Sequence, residues 1–302
     1  MKKSTILILI FAISICVSAQ DNKAGKGDII AKGAKVEKIA DGFSFTEGPA
    51  ADKYGNVYFT DQPNDRILKW SVKDQKVTVF LEKTGRANGT YFDKQGYLLT
   101  CSDMDNEMWK IDMNGNHTVL ITDFEGKKLN GPNDLWIRPD GGIYFTDPLY
   151  ARNYWTRNPA MQQSGQHVYF FVPDTKKLMQ VAVDLEQPNG IIGSPDGKLL
   201  YVADIKARKT YVYNIQPDGT LTNKKLFCEM GSDGMTMDNK GNIYLTGNGV
   251  TVFNPKGEQI AQIPVEARWT ANVCFGGKKR DILFITASQY LYSLKMKVKG
   301  AQ

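Results

Sequence analysis

Histidine is nearly absent from this sequence, since its 302 residues contain only His117 and His167. Both lie at or beside apolar runs that predict outer strands, and both are interpreted as structural residues. No histidine-rich or CxxC pattern is present, so nothing in the sequence indicates a zinc site. If the chain catalyses a hydrolysis, we expect its general base to be a carboxylate, because neither histidine is well placed for that role.

Cysteine is also scarce, with four residues in the whole chain. One of them, Cys16, belongs to the N-terminal segment described next. The other three, Cys101, Cys228 and Cys274, lie in or beside apolar runs and are predicted to be small buried residues. An odd number argues against a disulfide framework.

Long apolar runs are missing except near the N-terminus, where residues 6–15 are apolar and follow Lys2 and Lys3. Val17, Ser18 and Ala19 then resemble a small-residue cleavage site. Residues 1–19 are therefore predicted to be a secretory signal peptide, too short to span a membrane. The mature chain is expected to be secreted or periplasmic, without a membrane span. An uncleaved anchor and lipidation at Cys16 remain as alternatives.

Concentrated positive charge is missing too. The net charge is +6, and it falls to +4 when Lys2 and Lys3 leave with the signal peptide. The lysines are scattered, and no stripe of basic and aromatic residues indicates a nucleic-acid partner. No long amphipathic helix, linker or low-complexity run divides the chain. We therefore predict a flexible lead-in at residues 20–33 and a single domain at residues 34–302.

The sequence does contain a repeated unit, seen most clearly in residues 130–147. Leu135, Trp136 and Ile137 form a short apolar run, and Pro139-Asp140-Gly141 is a turn signal. Residues 143–145 are β-branched or aromatic, which favours a second strand. The unit therefore predicts two short strands joined by a tight turn.

Six copies of this unit follow one another along the chain. The turn glycine of each copy, or the residue in its place, is at Gly55, Gly96, Gly141, Gly197, Gly241 and Arg280. Eight residues before each turn stands a side chain with an oxygen: Glu47, Asn88, Asn133, Asn189, Asp233 and Asn272. The spacings of 41, 45, 56, 44 and 39 residues match one propeller blade of about 40–50 residues. The prediction is an all-β fold, a six-bladed β-propeller with four-stranded blades.

The last blade lacks one outer strand in this reading. Residues 35–39, at the other end of the mature chain, can supply it. Pairing of the N- and C-terminal strands would close the ring and remove the sheet edge that an open blade leaves exposed.

The six oxygen-bearing residues each stand where an inner strand begins. Inner strands of a propeller run in the same direction along the central channel, so their first residues are expected to form a ring at one mouth. Two carboxylates and four amides make an oxygen-only site of the kind that Ca²⁺ prefers. The alternative is that each side chain caps a local turn, as Asn and Asp often do before strands.

The order and spacing of four tripeptides carry a resemblance to a known family. They are Glu47-Gly48-Pro49, Pro132-Asn133-Asp134, Pro188-Asn189-Gly190 and Asp233-Gly234-Met235. With them, nearly all of the mature sequence resembles the SMP-30/gluconolactonase family of six-bladed propellers.

This resemblance implies a divalent metal, usually calcium, held by Glu47, Asn189 and Asp233. Asn133 is implied as a further ligand or as a substrate contact. The implied activity is hydrolysis of sugar lactones, and some relatives also cleave phosphotriesters. Asp134 matches the position proposed as general base in the family. Its alternative role is to accept a hydrogen bond that orients Asn133.

The largest departure from the repeat is an insertion at residues 148–166, which explains the spacing of 56. It is expected to rise over the metal and to act as a lid. The alternative is an ordered rim loop that packs on a neighbouring blade. The predicted substrate contacts are Tyr150, Arg152 and Trp155 from this insertion, with Asn88 and Asn272 from the ring. Stacking faces and cations suit a sugar acid or a lactone. Another ester as substrate, or a non-catalytic propeller that keeps calcium for stability, remains possible on the sequence alone.

Overall fold

The structure is a computed structural model and describes residues 28–152 and 160–302. The predicted signal peptide and Trp155 lie outside the described residues. Within them, the chain forms six four-stranded antiparallel sheets arranged as the blades of a propeller. The predicted fold class is confirmed.

The strands follow one another blade by blade. A first strand, β1, precedes the blades at Glu37–Ala40. Blade 1 contains β2 Thr46–Ala51, β3 Val57–Asp61, β4 Arg66–Trp70 and β5 Val77–Glu82. Blade 2 contains β6 Ala87–Phe92, β7 Leu98–Ser102, β8 Glu107–Ile111 and β9 His117–Ile121. A small hairpin, β10 Asp123–Phe124 and β11 Lys127–Lys128, leads to the next blade.

The second half repeats this pattern. Blade 3 contains β12 Leu135–Ile137, β13 Ile143–Asp147, β14 His167–Val172 and β15 Lys177–Ala182. Blade 4 contains β16 Pro188–Gly193, β17 Leu199–Asp204, β18 Lys209–Ile215 and β19 Leu221–Cys228. Blade 5 contains β20 Met235–Met237, β21 Ile243–Gly247, β22 Gly249–Phe253 and β23 Gln259–Ile263. Blade 6 contains β24 Thr270–Gly276, β25 Ile282–Ala287 and β26 Tyr290–Lys295. Single 3₁₀ turns at Gln62–Asn64 and Asp103–Asp105 follow the second strands of blades 1 and 2.

The ring closes as predicted, because β1 supplies the outer strand of blade 6. It pairs antiparallel with β26, with Glu37 opposite Ser293. The strand begins two residues later than the predicted residues 35–39. Pairing continues upstream, where the amide of Lys297 donates to the carbonyl of Ile29 at 2.8 Å. Ile29 is 2% exposed, so the end of the predicted lead-in packs on the last blade.

Deleting residues 28–40 is expected to lower the melting temperature by at least about 5 °C. The deletion exposes the edge of β26 and uncovers the pocket of Ile29, whose burial alone contributes about 1.5–3 kcal/mol. One kcal/mol moves the melting temperature of a chain of this size by about 2–4 °C. Thermal denaturation should show no shift for Lys32→Ala, an exposed side chain in the same segment. An unshifted curve for the deletion would contradict the closure.

The turns between first and second strands fix the register of the six blades. All six anchor positions have positive φ, from +72° to +97° at the glycines and +56° at Arg280. A non-glycine residue is strained there. The Arg280 guanidinium donates to the carbonyls of Asp52 at 2.8 Å and Ala51 at 3.3 Å, which ties blade 6 to blade 1. These bonds offset the backbone strain of a non-glycine residue at positive φ.

The core lies between neighbouring blades. Every residue of β3, β7, β13 and β21 is buried, because the second strand of a blade is covered on both faces. Such strands have continuous apolar runs rather than alternation. Cys101, Cys228 and Cys274 are buried free thiols, as predicted. Among the described residues, no helix combines the length and hydropathy of a membrane span.

Candidate active site

The six ring positions lie where the inner strands begin. Four of them are on the strands themselves, and Asn133 and Asp233 stand two residues before β12 and β20. The ring positions other than Asp233 are at most 5% exposed. Asp134 of blade 3 and Asn272 of blade 6 meet across the channel, with Asn272 Nδ2 3.4 Å from Asp134 Oδ2. Asn189 Nδ2 of blade 4 also donates to Asp233 Oδ1 at 2.8 Å, so the structure brings ring residues of different blades together at one mouth.

Glycines after the ring residues allow this close approach. A Cβ on Gly48 would lie 2.1 Å from the carbonyl oxygen of Asn88, on the next blade. A Cβ on Gly234 would lie 1.9 Å from Cγ of Asn272. Only a residue without a side chain fits at such distances. The Glu-Gly and Asp-Gly pairs of the sequence motifs thus reflect contact between neighbouring inner strands.

Buried threonines on the second strands hold the ring from behind, a signal that the sequence interpretation missed. Thr60 Oγ1 donates to the carbonyl of Asn88 at 3.1 Å. Thr146 Oγ1 donates to the carbonyl of Asn189 at 2.8 Å. Each bond links one blade to the first residues of the next. The repeated Tyr-Phe-Thr-Asp sequence of β3 and β13 contains this threonine and could have revealed it.

The adjacent aspartate in that repeat anchors a loop. Asp147 is 0% exposed and accepts the amides of Asn130 and Gly131, each at 2.9 Å. Asp204 is 2% exposed and accepts the amide of Glu186 at 2.7 Å. Both carboxylates hold the chain that leads into the inner strand of their own blade. Both carboxylates therefore have a structural role, which argues against a role in proton transfer at the mouth.

Three buried carboxyl groups give the mouth its electrostatic character. Burial raises the pKa of Glu47 well above its usual value, and repulsion from Asp233 and Asp134 adds to the shift. Burial also raises the pKa of Asp233, against the opposing effect of a hydrogen bond from Trp269. The pKa of Asp134 rises to about 7, mainly through burial. Arg152 lies close enough to oppose the shifts of Glu47 and Asp233. A cation at the mouth would relieve this repulsion.

Asn189 adds an acceptor that has no hydrogen-bond partner in the part of the chain that the structure describes. Its Oδ1 is buried, and no group in residues 28–152 or 160–302 donates a hydrogen bond to it. Its Nδ2 donates to Asp233 Oδ1 and to the Tyr150 hydroxyl, both at 2.8 Å. Buried polar atoms are normally satisfied, so an oxygen that has no donor in the described residues, on an amide that bonds to Asp233, fits the place of a metal ligand.

The described residues contain no group of three His, Cys, Asp or Glu side chains arranged to hold a metal ion. The fit to a hard cation instead depends on amide oxygens together with Glu47 and Asp233. The histidines lie elsewhere: the His117 ring stacks on Trp109 with centroids 3.9 Å apart, and His167 Nε2 lies 3.0 Å from Ser164 Oγ.

The first residues of the insertion reach the mouth. The Arg152 guanidinium lies 4.7 Å from the centre of the Tyr150 ring, and its Nε is 3.8 Å from Asp103 Oδ2. Asp103 Oδ2 also accepts from Gln62 Nε2 at 3.2 Å. Asp103 and Gln62, on the 3₁₀ turns, were not predicted from the sequence. The proposed lid function of the insertion stays a prediction, because residues 153–159, including Trp155, are not described.

A cavity of about 480 Å³ continues from the mouth along the channel. Asp134 and Asn272 line one end of it, and Arg280 and Gln302 line the other. Gln302 Nε2 donates to the carbonyl of Gly193 at 3.1 Å. The last residues of the chain thus cross the far end, while the carboxylate of Asp134 borders both the mouth and the channel.

Comparison with known proteins agrees with this architecture. Residues 45–289 match the family model for the SMP-30/gluconolactonase/LRE-like region. A gluconolactonase of Zymomonas mobilis is 28% identical over 294 residues, covering 88% of this chain and 82% of the relative. The diisopropyl-fluorophosphatase of Loligo vulgaris is 28% identical over 250 residues, covering 74% of this chain and 79% of that protein.

A solved structure is also similar to this chain in fold and sequence. A gluconolactonase of Xanthomonas campestris superimposes with a TM-score of 0.82 at 30% identity, covering 88% of this chain and 91% of that one. The family match spans nearly all of the propeller, from the residue before β2 to the turn after β25. The chain therefore belongs to the SMP-30/gluconolactonase/LRE-like family.

Proposed function

We propose that this lactonase-type hydrolase opens a sugar lactone in a calcium-dependent reaction at the ring of inner-strand residues. The observation that carries the proposal is the buried Oδ1 of Asn189, which accepts no hydrogen bond from residues 28–152 or 160–302. The Nδ2 of the same amide bonds to Asp233, whose carboxylate repels that of Glu47. Buried carboxyls that repel one another are costly unless a cation is close. The similarity to gluconolactonases supports the substrate class.

Glu47, Asn133, Asn189 and Asp233 would hold the metal. Carboxylate and amide oxygens are the ligands that Ca²⁺ takes in proteins, in flexible geometry. Bound Ca²⁺ polarises a carbonyl and stabilises the negative charge that develops on its oxygen. The chain contributes a rigid ring, because glycines and threonines of neighbouring blades fix the backbone at each ligand.

Asp134 would act as the general base. Its Oδ1 accepts the Leu135 amide at 2.9 Å, and its Oδ2 faces Asn272 Nδ2 at 3.4 Å. The carboxylate is thereby oriented, and it lines the channel cavity, from which water would reach it. It would take a proton from water as the water oxygen bonds to the lactone carbonyl carbon. The same proton would then pass to the ring oxygen as the C–O bond breaks, yielding the hydroxy acid.

The rim would bind the sugar hydroxyls or a carboxylate. Tyr150 and Arg152 supply an aromatic face and a cation at the mouth. Asn88 and Asn272 complete the proposed substrate contacts from the ring, together with Trp155 of the insertion. Residues 1–19 support export, so we place the reaction in the periplasm or outside the cell.

A phosphotriester is the second candidate substrate, and the similarity to diisopropyl-fluorophosphatase favours it. A non-catalytic calcium propeller is less well supported, because it gives no role to Asp134 in contact with the channel.

A substrate panel tests the proposal. Aldonolactones, an aryl ester and a phosphotriester would be compared by kcat/KM with added Ca²⁺ and with EDTA, after subtraction of spontaneous hydrolysis. We expect a lactone to be preferred over the phosphotriester by at least about tenfold in kcat/KM, a difference of about 1.4 kcal/mol in transition-state binding. EDTA should abolish turnover of every substrate. A higher kcat/KM for the phosphotriester would make it, and not a lactone, the substrate class of this protein. Activity unaffected by EDTA would contradict the calcium proposal.

A further inference from the structure

We infer that Tyr150 and Trp269 are positioning residues that set the orientation of the calcium ligands Asn189 and Asp233. The inference rests on the proposed calcium site and deepens it. It gives Tyr150 a role other than the substrate contact predicted from the sequence. It also gives a role to Trp269, which no sequence motif indicated.

A continuous hydrogen-bonded chain supports the inference. Trp269 Nε1 donates to Asp233 Oδ2 at 2.6 Å. Asp233 Oδ1 accepts from Asn189 Nδ2 at 2.8 Å. The second hydrogen of Asn189 Nδ2 goes to the Tyr150 hydroxyl at 2.8 Å. These hydrogen bonds link the insertion of blade 3, the inner strand of blade 4, the segment before β20 and the loop before β24.

The chemistry of the donors allows one orientation of the Asn189 amide. A carboxylate only accepts hydrogen bonds, so the amide atom beside Asp233 must be the nitrogen. With both N–H groups used by Asp233 and Tyr150, Oδ1 is directed away from them, and it is the buried oxygen to which no described residue donates. Exchanging the positions of Nδ2 and Oδ1 would place Asn189 Oδ1 against Asp233 Oδ1.

Asp233 is held in the same way. The indole N–H of Trp269 can donate but not accept, so it fixes one carboxylate oxygen, while Asn189 fixes the other. Each oxygen keeps a further lone pair for a cation. Trp269 is 38% exposed, so its ring also borders the open side of the mouth. Two of the four proposed ligands are thus oriented by side chains from the rim.

Partners that orient metal ligands typically change metal affinity by about 10–100-fold when removed. Tyr150→Phe removes the hydroxyl acceptor and keeps the ring beside Arg152. Trp269→Phe removes the indole donor and keeps an aromatic ring. We expect the Kd for Ca²⁺ to rise about 10–100-fold in each variant, measured by calorimetry with Ca²⁺ alone on metal-stripped protein.

Matched controls separate this effect from a general loss of stability. Trp109→Phe removes an indole–carboxylate bond of the same length, 2.6 Å to Glu107, on the third strand of blade 2 and outside the proposed ligand set. Tyr54→Phe removes a hydroxyl from an exposed turn. Both controls should bind Ca²⁺ within about twofold of the wild type. Melting curves in EDTA should show that Tyr150→Phe and Trp269→Phe are folded without metal.

The outcomes are distinguishable. Weaker Ca²⁺ binding by both mouth variants, with normal binding by the controls, supports the inference. Unchanged Kd with an altered KM for lactone would make Tyr150 and Trp269 substrate contacts and would overturn it, while leaving the proposed calcium site intact. A wild-type protein that binds no Ca²⁺ would overturn the inference and the calcium site together.

Discussion

Glu47→Gln and Asp233→Asn are each expected to remove calcium binding and lactone hydrolysis together. Each change deletes one of two carboxylate charges from the proposed ligand set. Removing one partner of a buried charge pair costs about 3–5 kcal/mol, or about two to four orders of magnitude in Kd. Calorimetry and hydrolysis rates on the same preparations measure the two losses.

The stability of these variants without metal is a sharper sign of a ligand role. In EDTA, Glu47→Gln should melt no lower than the wild type, because it removes a buried carboxyl repelled by Asp233 and Asp134. With Ca²⁺ at a hundredfold excess over its Kd, the wild type should gain about 2.7 kcal/mol and the variant should gain nothing. Asp196→Asn, on an exposed turn of blade 4, is the matched control and should behave as the wild type. A variant that melts lower in EDTA yet still binds Ca²⁺ would make Glu47 a structural residue.

Asp134→Asn is expected to lower kcat on a lactone by about 10²–10⁴-fold, the usual contribution of a general base. The substitution keeps the shape of the side chain and its position next to Asn272. It removes the carboxylate that would accept the proton. The Kd for Ca²⁺ should stay within about threefold of the wild type, because Asp134 is not among the proposed ligands. Steady-state kinetics and calorimetry on the same preparation are the two measurements.

Two results would contradict this assignment in different ways. Turnover near that of the wild type would mean that another group takes the proton. Asp147 and Asp204, which end the second strands of blades 3 and 4, are poor substitutes because their carboxylates already accept backbone amides. Loss of Ca²⁺ as complete as in Asp233→Asn would place Asp134 among the ligands.

The repeat in the sequence was sufficient to predict the fold, because each blade repeats the same turn. Even the copy without glycine was in register, since Arg280 adopts the positive φ that the other five turns have at glycine. Closure by the N-terminal strand followed from counting strands, and only its boundary was two residues early. The start of each inner strand located the six ring positions, while their roles as ligands and substrate contacts stay predictions.

Contacts between blades could not be predicted in the same way. Trp269 comes from the loop between β23 and β24, which carries no repeated motif, so nothing in the sequence linked it to Asp233. The hydrogen bonds that occupy Asp147 and Asp204 depend on where the incoming loops run. The lack of a donor to Asn189 Oδ1 among the described residues likewise depends on its neighbours in space. Repeats identify equivalent positions, whereas the partners of each position differ from blade to blade.

The most direct test of a calcium-dependent lactonase is a titration of metal-stripped protein with Ca²⁺ in the presence of a lactone that the native protein hydrolyses. The rate and the bound Ca²⁺ would be measured on the same samples. We expect no catalysed hydrolysis without metal and a rate that rises in proportion to bound Ca²⁺. Full hydrolysis by the stripped protein, or a rate independent of bound Ca²⁺, would contradict the account.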